Sequence, residues 1–204
     1  MSKRSASGDT RYLRIWGTHL RWAALCHEAW EIVFSGRAPY TPSVPPIVEE
    51  YGKTVHGKLV SITAEWFKKS THTLHILPGK ATPIEYSVRP SWSNEPIILT
   101  LKPDLYVLWN TSRGPINLAI EVTTRIPTHI PEEWLTAYAL GLYIRNLRPS
   151  FTVLATPEQV SILPLSTRNI DELKKLIDGK SRKKPTPSLC YNCDLRQVCP
   201  NPLV

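Results

Sequence analysis

Two sets of residues in this chain have the types and spacing for chemistry. The first is a pair of carboxylates, Asp104 and Glu121, at the ends of two apolar runs within residues 101–123, LKPDLYVLWNTSRGPINLAIEVT. The second is four cysteines split one plus three: Cys26 near the start, then Cys190, Cys193 and Cys199 within ten residues. Two acids brought to one sheet end make a hard-cation site of the kind magnesium or manganese prefers, whereas either acid alone reads as a solvated strand end. An acid as deep in an apolar strand as Glu121 is costly unless something pairs with it. Four cysteines so placed in a reducing cytosol suggest a metal centre rather than disulfides. Four thiolates are a standard zinc set, and a proline after the last cysteine, as at Pro200, also occurs in iron–sulfur sequences. Spacing alone leaves both open.

The carboxylates need a hairpin to bring them together. Residues 105–109 and 116–122 are rich in β-branched and aromatic side chains, and the turn formers of 110–115 lie between them. Antiparallel pairing then predicts Asp104 beside Glu121, with Glu121 and Thr123 on one face. Upstream, the spacing of Leu20, Ala23, Ala24, Trp30 and Phe34 predicts a helix from about 18 to 34 that carries Cys26 and stops at Gly36. A longer helix is predicted over 46–69 from Val48, Tyr51, Val55, Leu59, Ile62 and Trp66. It contains His56, which by itself reads as a packed core residue. It closes on Lys68 and Lys69, suited to the helix dipole and also to a phosphate-facing edge.

Residues 71–100 read as short strands broken by Pro78, Pro83, Pro90 and Pro96. A helix over about 131–147 places Trp134, Tyr138 and Gly141 on one face, and Trp134 there reads as core first and as a base-stacking residue second. Strands at 151–155 and 159–163, a short helix over 169–178 and a basic linker, KSRKKPTPS, lead to the cysteine triad. Residues 1–11 are polar and expected to be disordered.

A chain of 204 residues, 42% hydrophobic and 21% charged, suits one soluble domain. Its net charge of +8 favours a polyanionic partner such as nucleic acid. No apolar run reaches membrane-spanning length and no secretory signal opens the chain, so a cytoplasmic protein without membrane partners is expected.

In its order of parts — helix with Cys26, helix with His56, strands with Asp104 and Glu121, helix with Tyr138, three cysteines — the chain resembles the CRISPR-associated RecB-like iron–sulfur exonucleases, the fourth Cas family. The resemblance runs from Cys26 to Cys199. It implies an α/β fold with a PD-(D/E)xK nuclease core, a mixed sheet flanked by helices. It also implies an iron–sulfur subdomain built from about 18–36 together with 180–204. Pro103-Asp104 matches the family's first core element, Glu121-Val122-Thr123 the second, and Gly52-x-x-x-His56 the helical histidine. The resemblance gives His56, Asp104, Glu121 and the Val122 carbonyl to a magnesium or manganese ion. It gives Cys26, Cys190, Cys193 and Cys199 to a [4Fe–4S] cluster, with zinc as the alternative. It implies cleavage of single-stranded DNA ends in CRISPR spacer acquisition, with the integrase complex or further copies of the chain as partners. Two positions depart from the family: Thr123 stands where its lysine should, and Trp134 stands where a glutamine should precede Tyr138. Lys102, on the Asp104 face, and Arg125, continuing the Glu121 face, are candidate replacements for the missing cation, and Arg125 is also a DNA-contact candidate with Lys68, Lys69 and Trp134. The rival expectation is a catalytically impaired DNA-binding or scaffold subunit of the same fold.

Overall fold

The computed structural model describes residues 12–39, 46–78, 83–123, 131–157, 159–181, 183–191 and 193–203. Residues 1–11 and Arg125 with the break around it lie outside the described residues. In chain order the elements are β1 (Arg14–Trp16), α1 (Gly17–Leu25), α2 (His27–Phe34), α3 (Pro46–Lys69), β2 (Thr73–Pro78), β3 (Ile84–Val88), β4 (Ile97–Leu101), β5 (Leu105–Thr111), β6 (Gly114–Val122), α4 (Glu132–Asn146), β7 (Ser150–Ala155), β8 (Val160–Pro164), α5 (Thr167–Ile177) and α6 (Pro187–Tyr191).

The architecture is mixed α/β, with two sheets flanked by helices where one central sheet was expected. The larger sheet runs β2-β5-β6-β7-β8 and the smaller β1-β4-β3. In the larger sheet only β6–β7 is parallel. A parallel pair needs a crossover, and α4 supplies it.

The hairpin forms as its residues predict. Thr111 pairs with Gly114 across the turn, and Gly114 adopts φ +104, a conformation that favours glycine. Leu105 pairs with Ile120, so the next pair outward brings Asp104 beside Glu121. Alternation does the rest. Leu118, Ile120 and Val122 pack with Leu105, Val107, Val153 and Phe67 of α3 on one face, whereas Ala119 joins the core under α4 on the other. Each large side chain so buried contributes roughly 1.5–3 kcal/mol of transfer free energy.

The central helix α4 is buried on nearly every side because both sheets and α1 enclose it. Tyr86 donates its hydroxyl to the Ala137 carbonyl at 3.0 Å, and Thr152 donates to the Leu135 carbonyl at 2.6 Å. Gly141 passes so close to β3 that a methyl group there would sit 2.5 Å from Ile84 and 2.8 Å from the Tyr86 ring.

The helix expected over 18–34 is two helices. Cys26 is extended, with φ −151 and ψ 136, ending α1 and starting α2. The C-terminal segment returns to this break: the His27 N–H donates to the Lys183 carbonyl at 2.9 Å, and Trp22 Nε1 donates to Asp194 Oδ2 at 2.9 Å. Leu195, 1% exposed, is part of the same core. Among the described residues, no helix is long and apolar enough to cross a membrane.

Candidate metal centre and cysteine site

The end of the β5–β6 hairpin is where three elements converge on carboxylates. Asp104, just before β5, receives the backbone N–H of Val122 at 2.8 Å on Oδ2, while its Oδ1 lies 2.9 Å from Nε2 of His56. The position of His56 on α3 thus places its ring beside Asp104. Glu121 projects from the opposite face of β6 to Val122, toward α4 and α1. Its Oε1 is shielded from solvent and has no hydrogen-bond partner. Its pKa stands well above the usual carboxylate range, first because of burial and next because of the Asp104 charge. A hydrogen bond from the Tyr138 hydroxyl and the positive field of Arg21 act in the opposite sense.

A buried acid with an orphaned oxygen, beside a second acid and an imidazole, fits a hard divalent cation. A cation there would offset the repulsion between the two carboxylates. Among the described residues no group of three or more His, Cys, Asp or Glu is drawn together tightly enough to make a ready metal cage, so His56, Asp104, Glu121 and the Val122 carbonyl stand as a candidate set.

The remaining candidates fall at different distances from this centre. Tyr138 is buried, and its hydroxyl would lie 2.9 Å from a Cβ at Gly17, so the first turn of α1 rests against it. Thr123 follows β6 directly and donates its N–H to the Ala155 carbonyl at 2.9 Å. The Lys102 ammonium lies over the Trp16 ring, 4.8 Å from its centroid. Trp134 is only 7% exposed, with its ring edge-on to Tyr138 and the Arg21 guanidinium over its face, so it offers a base no open platform. Lys68 and Lys69 are exposed at the far end of α3, about 18 Å along the helix axis from His56. Lys68 pairs with Glu65 at 2.7 Å.

Two features escape a reading of the sequence. One is Arg21, which nothing in its local pattern marks. The other is an apolar groove between α3 and the larger sheet, lined by Ile62, Trp66, Trp109, Phe151, Val160 and Ile162. In it Trp66, 62% exposed, lies within 4° of parallel to Trp109 at 6.1 Å between centroids.

At the other end of α1, all four cysteines are free thiols and line one small cavity with Ala29, Ile32, Leu189 and Leu195. Burial pushes the Cys26 thiol up, while N–H groups of Ala29 and Glu28 aimed at its sulfur pull it down. Cys193 is pushed up to about 11 by burial, with Asp194, Cys26 and Cys199 adding to the shift. Four sulfurs that line one small apolar pocket fit a group that takes thiolates, either a [4Fe–4S] cluster or zinc.

No protein-family model and no curated protein matches this chain. In fold it is similar to a solved crystal structure, that of SSO0001, with a TM-score of 0.52 and 13% identity, covering 100% of this chain and 90% of that one. At that identity the likeness speaks for the fold alone.

Proposed function

We propose that the protein is a divalent-metal-dependent DNA exonuclease acting on single-stranded ends, of the RecB-like type and serving CRISPR spacer acquisition. The observation that carries this reading is the pairing of Asp104 and Glu121 at one sheet end, with His56 at 2.9 Å from Asp104 and a buried, unpartnered oxygen on Glu121.

His56, Asp104, Glu121 and the Val122 carbonyl would hold magnesium or manganese, which when bound supplies Lewis-acid charge and a more acidic water. The chain's own residues arrange the rest. The Val122 N–H fixes one Asp104 oxygen and leaves the other directed at His56. Tyr138, locked in the core, steadies Glu121. Water attacks phosphorus, the bond to the leaving sugar oxygen breaks, and that oxygen takes up a proton. The exposed indole of Trp66 in the groove offers a face for bases leading to the centre. The net charge of +8 favours the approach of a polyanion. At the cysteine site a cluster or zinc would supply a staple between the first helices and the tail.

The scaffold reading keeps support from Thr123, which brings no charge where a nuclease of this type has a lysine. End-labelled single-stranded DNA with manganese separates the two. Cleavage by the wild type that Glu121→Gln abolishes is expected. DNA binding without cleavage in either protein would favour the scaffold.

A further inference from the structure

We propose that the cavity between the larger sheet and the last turn of α4 is a binding site for a phosphate group, held by Arg145 and Arg148. It needs none of the chemistry of the carboxylates, so it stands whether or not the protein cleaves DNA.

The cavity has a volume of about 220 Å³. Its floor is β2, β5 and β6, through His75, Tyr106 and Asn117, and its wall is the end of α4 and the residues after it, through Arg145 and Arg148. Register puts the floor residues on one face of the sheet: His75 pairs with Leu108, and Leu108 with Asn117. Helix α4 packs over β6 and β7, so the β2–β5 side of that face is left as a hollow. The wall is fixed by hydrogen bonds. Leu147 ends α4 with φ 50, a conformation leucine rarely adopts. The Asn117 N–H then donates to the Pro149 carbonyl at 2.9 Å, and the Ser150 hydroxyl donates to the Arg148 carbonyl at 2.9 Å. These bonds pin the backbone that carries Arg148 to β6.

The charge in the hollow is one-sided. Among the described residues that line it, none is acidic. Neither Arg145 nor Arg148 makes an ion pair or side-chain hydrogen bond with a described residue. Glu85, which shares a neighbouring cleft with Arg145, is already engaged by Arg14 and Thr100. The dipole of α4 explains a cation at Arg145, but Arg148 lies beyond the helix. The Tyr106 hydroxyl adds a shielded donor with no acceptor, a group that calls for a partner. Two guanidiniums on one uncharged hollow repel each other unless an anion lies between them. Their planar forks of N–H donors match the oxygens of a phosphate. That phosphate can be free, as in inorganic phosphate or a mononucleotide, or part of the backbone of a single strand.

The test compares Arg145→Gln, Arg148→Gln and Lys174→Gln with wild type, all as the whole chain. One arm reads the rise in Tm on adding sodium phosphate or thymidine 5′-monophosphate, against sodium chloride of equal ionic strength. The other reads the affinity for an oligo-dT strand without terminal phosphates, at several salt concentrations. Each arginine variant is expected to weaken the probe that binds by roughly ten- to a hundred-fold. Lys174→Gln, which removes the same charge from α5, is expected to stay within about two-fold of wild type, as its side chain is no part of the cavity. Loss in the first arm identifies a free ligand. Loss in the second, with a salt slope shallower by about one per arginine removed, identifies a strand. Arg148 lies outside the helix, so its variant reports even if Arg145→Gln unfolds. Binding of every probe that survives both arginine variants would overturn the proposal, as would an equal loss in Lys174→Gln. A lower ligand-free Tm with binding intact would show that the arginines serve α4 alone, and would overturn it too.

Discussion

Adding one methyl group to Gly141 tests whether α4 is held rigidly against the smaller sheet. In Gly141→Ala the new Cβ would sit 2.5 Å from Ile84 Cγ2 and 2.8 Å from Tyr86 Cε1. Neither neighbour can swing away easily. Ile84 is 1% exposed, and Tyr86 is tied through its hydroxyl to the Ala137 carbonyl. Overpacking of this kind costs roughly 2–3 kcal/mol, and alanine recovers about 1 kcal/mol of helix propensity over glycine. The net loss is about 1–2 kcal/mol, which for a chain of this size lowers Tm by roughly 2–8 °C. Gly57→Ala on α3 is the control, because nothing lies within 4 Å of a Cβ there. There the propensity gain stands alone, and Tm should rise by about 2–4 °C. Thermal melts of the two variants should move in opposite directions. An unchanged or raised Tm in Gly141→Ala would show that Ile84 and Tyr86 yield, and that the packing argued for α4 is wrong.

Three further outcomes are expected. Burial and Asp104 raise the pKa of Glu121, so above the ordinary carboxylate pKa the metal-free folded protein keeps a proton that the unfolded chain has released. Metal-free stability should therefore fall as pH rises from the usual carboxylate range to the raised value, while manganese affinity climbs. Glu121→Gln should flatten both slopes, and parallel Tm–pH profiles for the two proteins would contradict this. Cys26→Ser should lower soluble yield together with the iron or zinc bound per chain, because closure of the site would be coupled to folding; a stable, metal-free and fully active variant would count against it. Trp66→Ala should weaken single-stranded DNA binding by about 1–3 kcal/mol in fluorescence titrations, and unchanged affinity would remove the groove from the DNA path.

The hairpin and α3 were legible because their signals are local. Alternating apolar residues around a turn set the β5–β6 register, and Pro46 and the lysine pair mark the observed ends of α3. The pairing of Asp104 with Glu121 follows from that register alone. Other features depend on contacts distant in sequence. The three residues of β1 carry little pattern of their own, and their partner β4 lies more than eighty residues away. The break at Cys26 has no proline or glycine to announce it; the returning tail, through Lys183 and Asp194, holds it there. Two sheets arise where one was expected because β2 pairs with β5, leaving β3 and β4 to pair with each other and with β1. Arg21 was invisible for the same reason, since only the packing of α1 against α4 brings it near Glu121.

The separation of Cys26 from the other three cysteines also has a consequence in time. At about 5–20 residues per second, the roughly 160 residues between them take on the order of ten to thirty seconds to synthesise. Throughout that interval α1 and α2 have been made while Leu195, which lines the same cavity as Ala29 and Ile32, has not. A group held by all four thiols would therefore be loaded only once the chain has been made as far as Cys199. A chain cut short before residue 190 keeps both carboxylates but lacks three of the four thiols and the cover for its first helices. Loading at the cysteine site would thus distinguish a chain that carries all four thiols from one cut short of them.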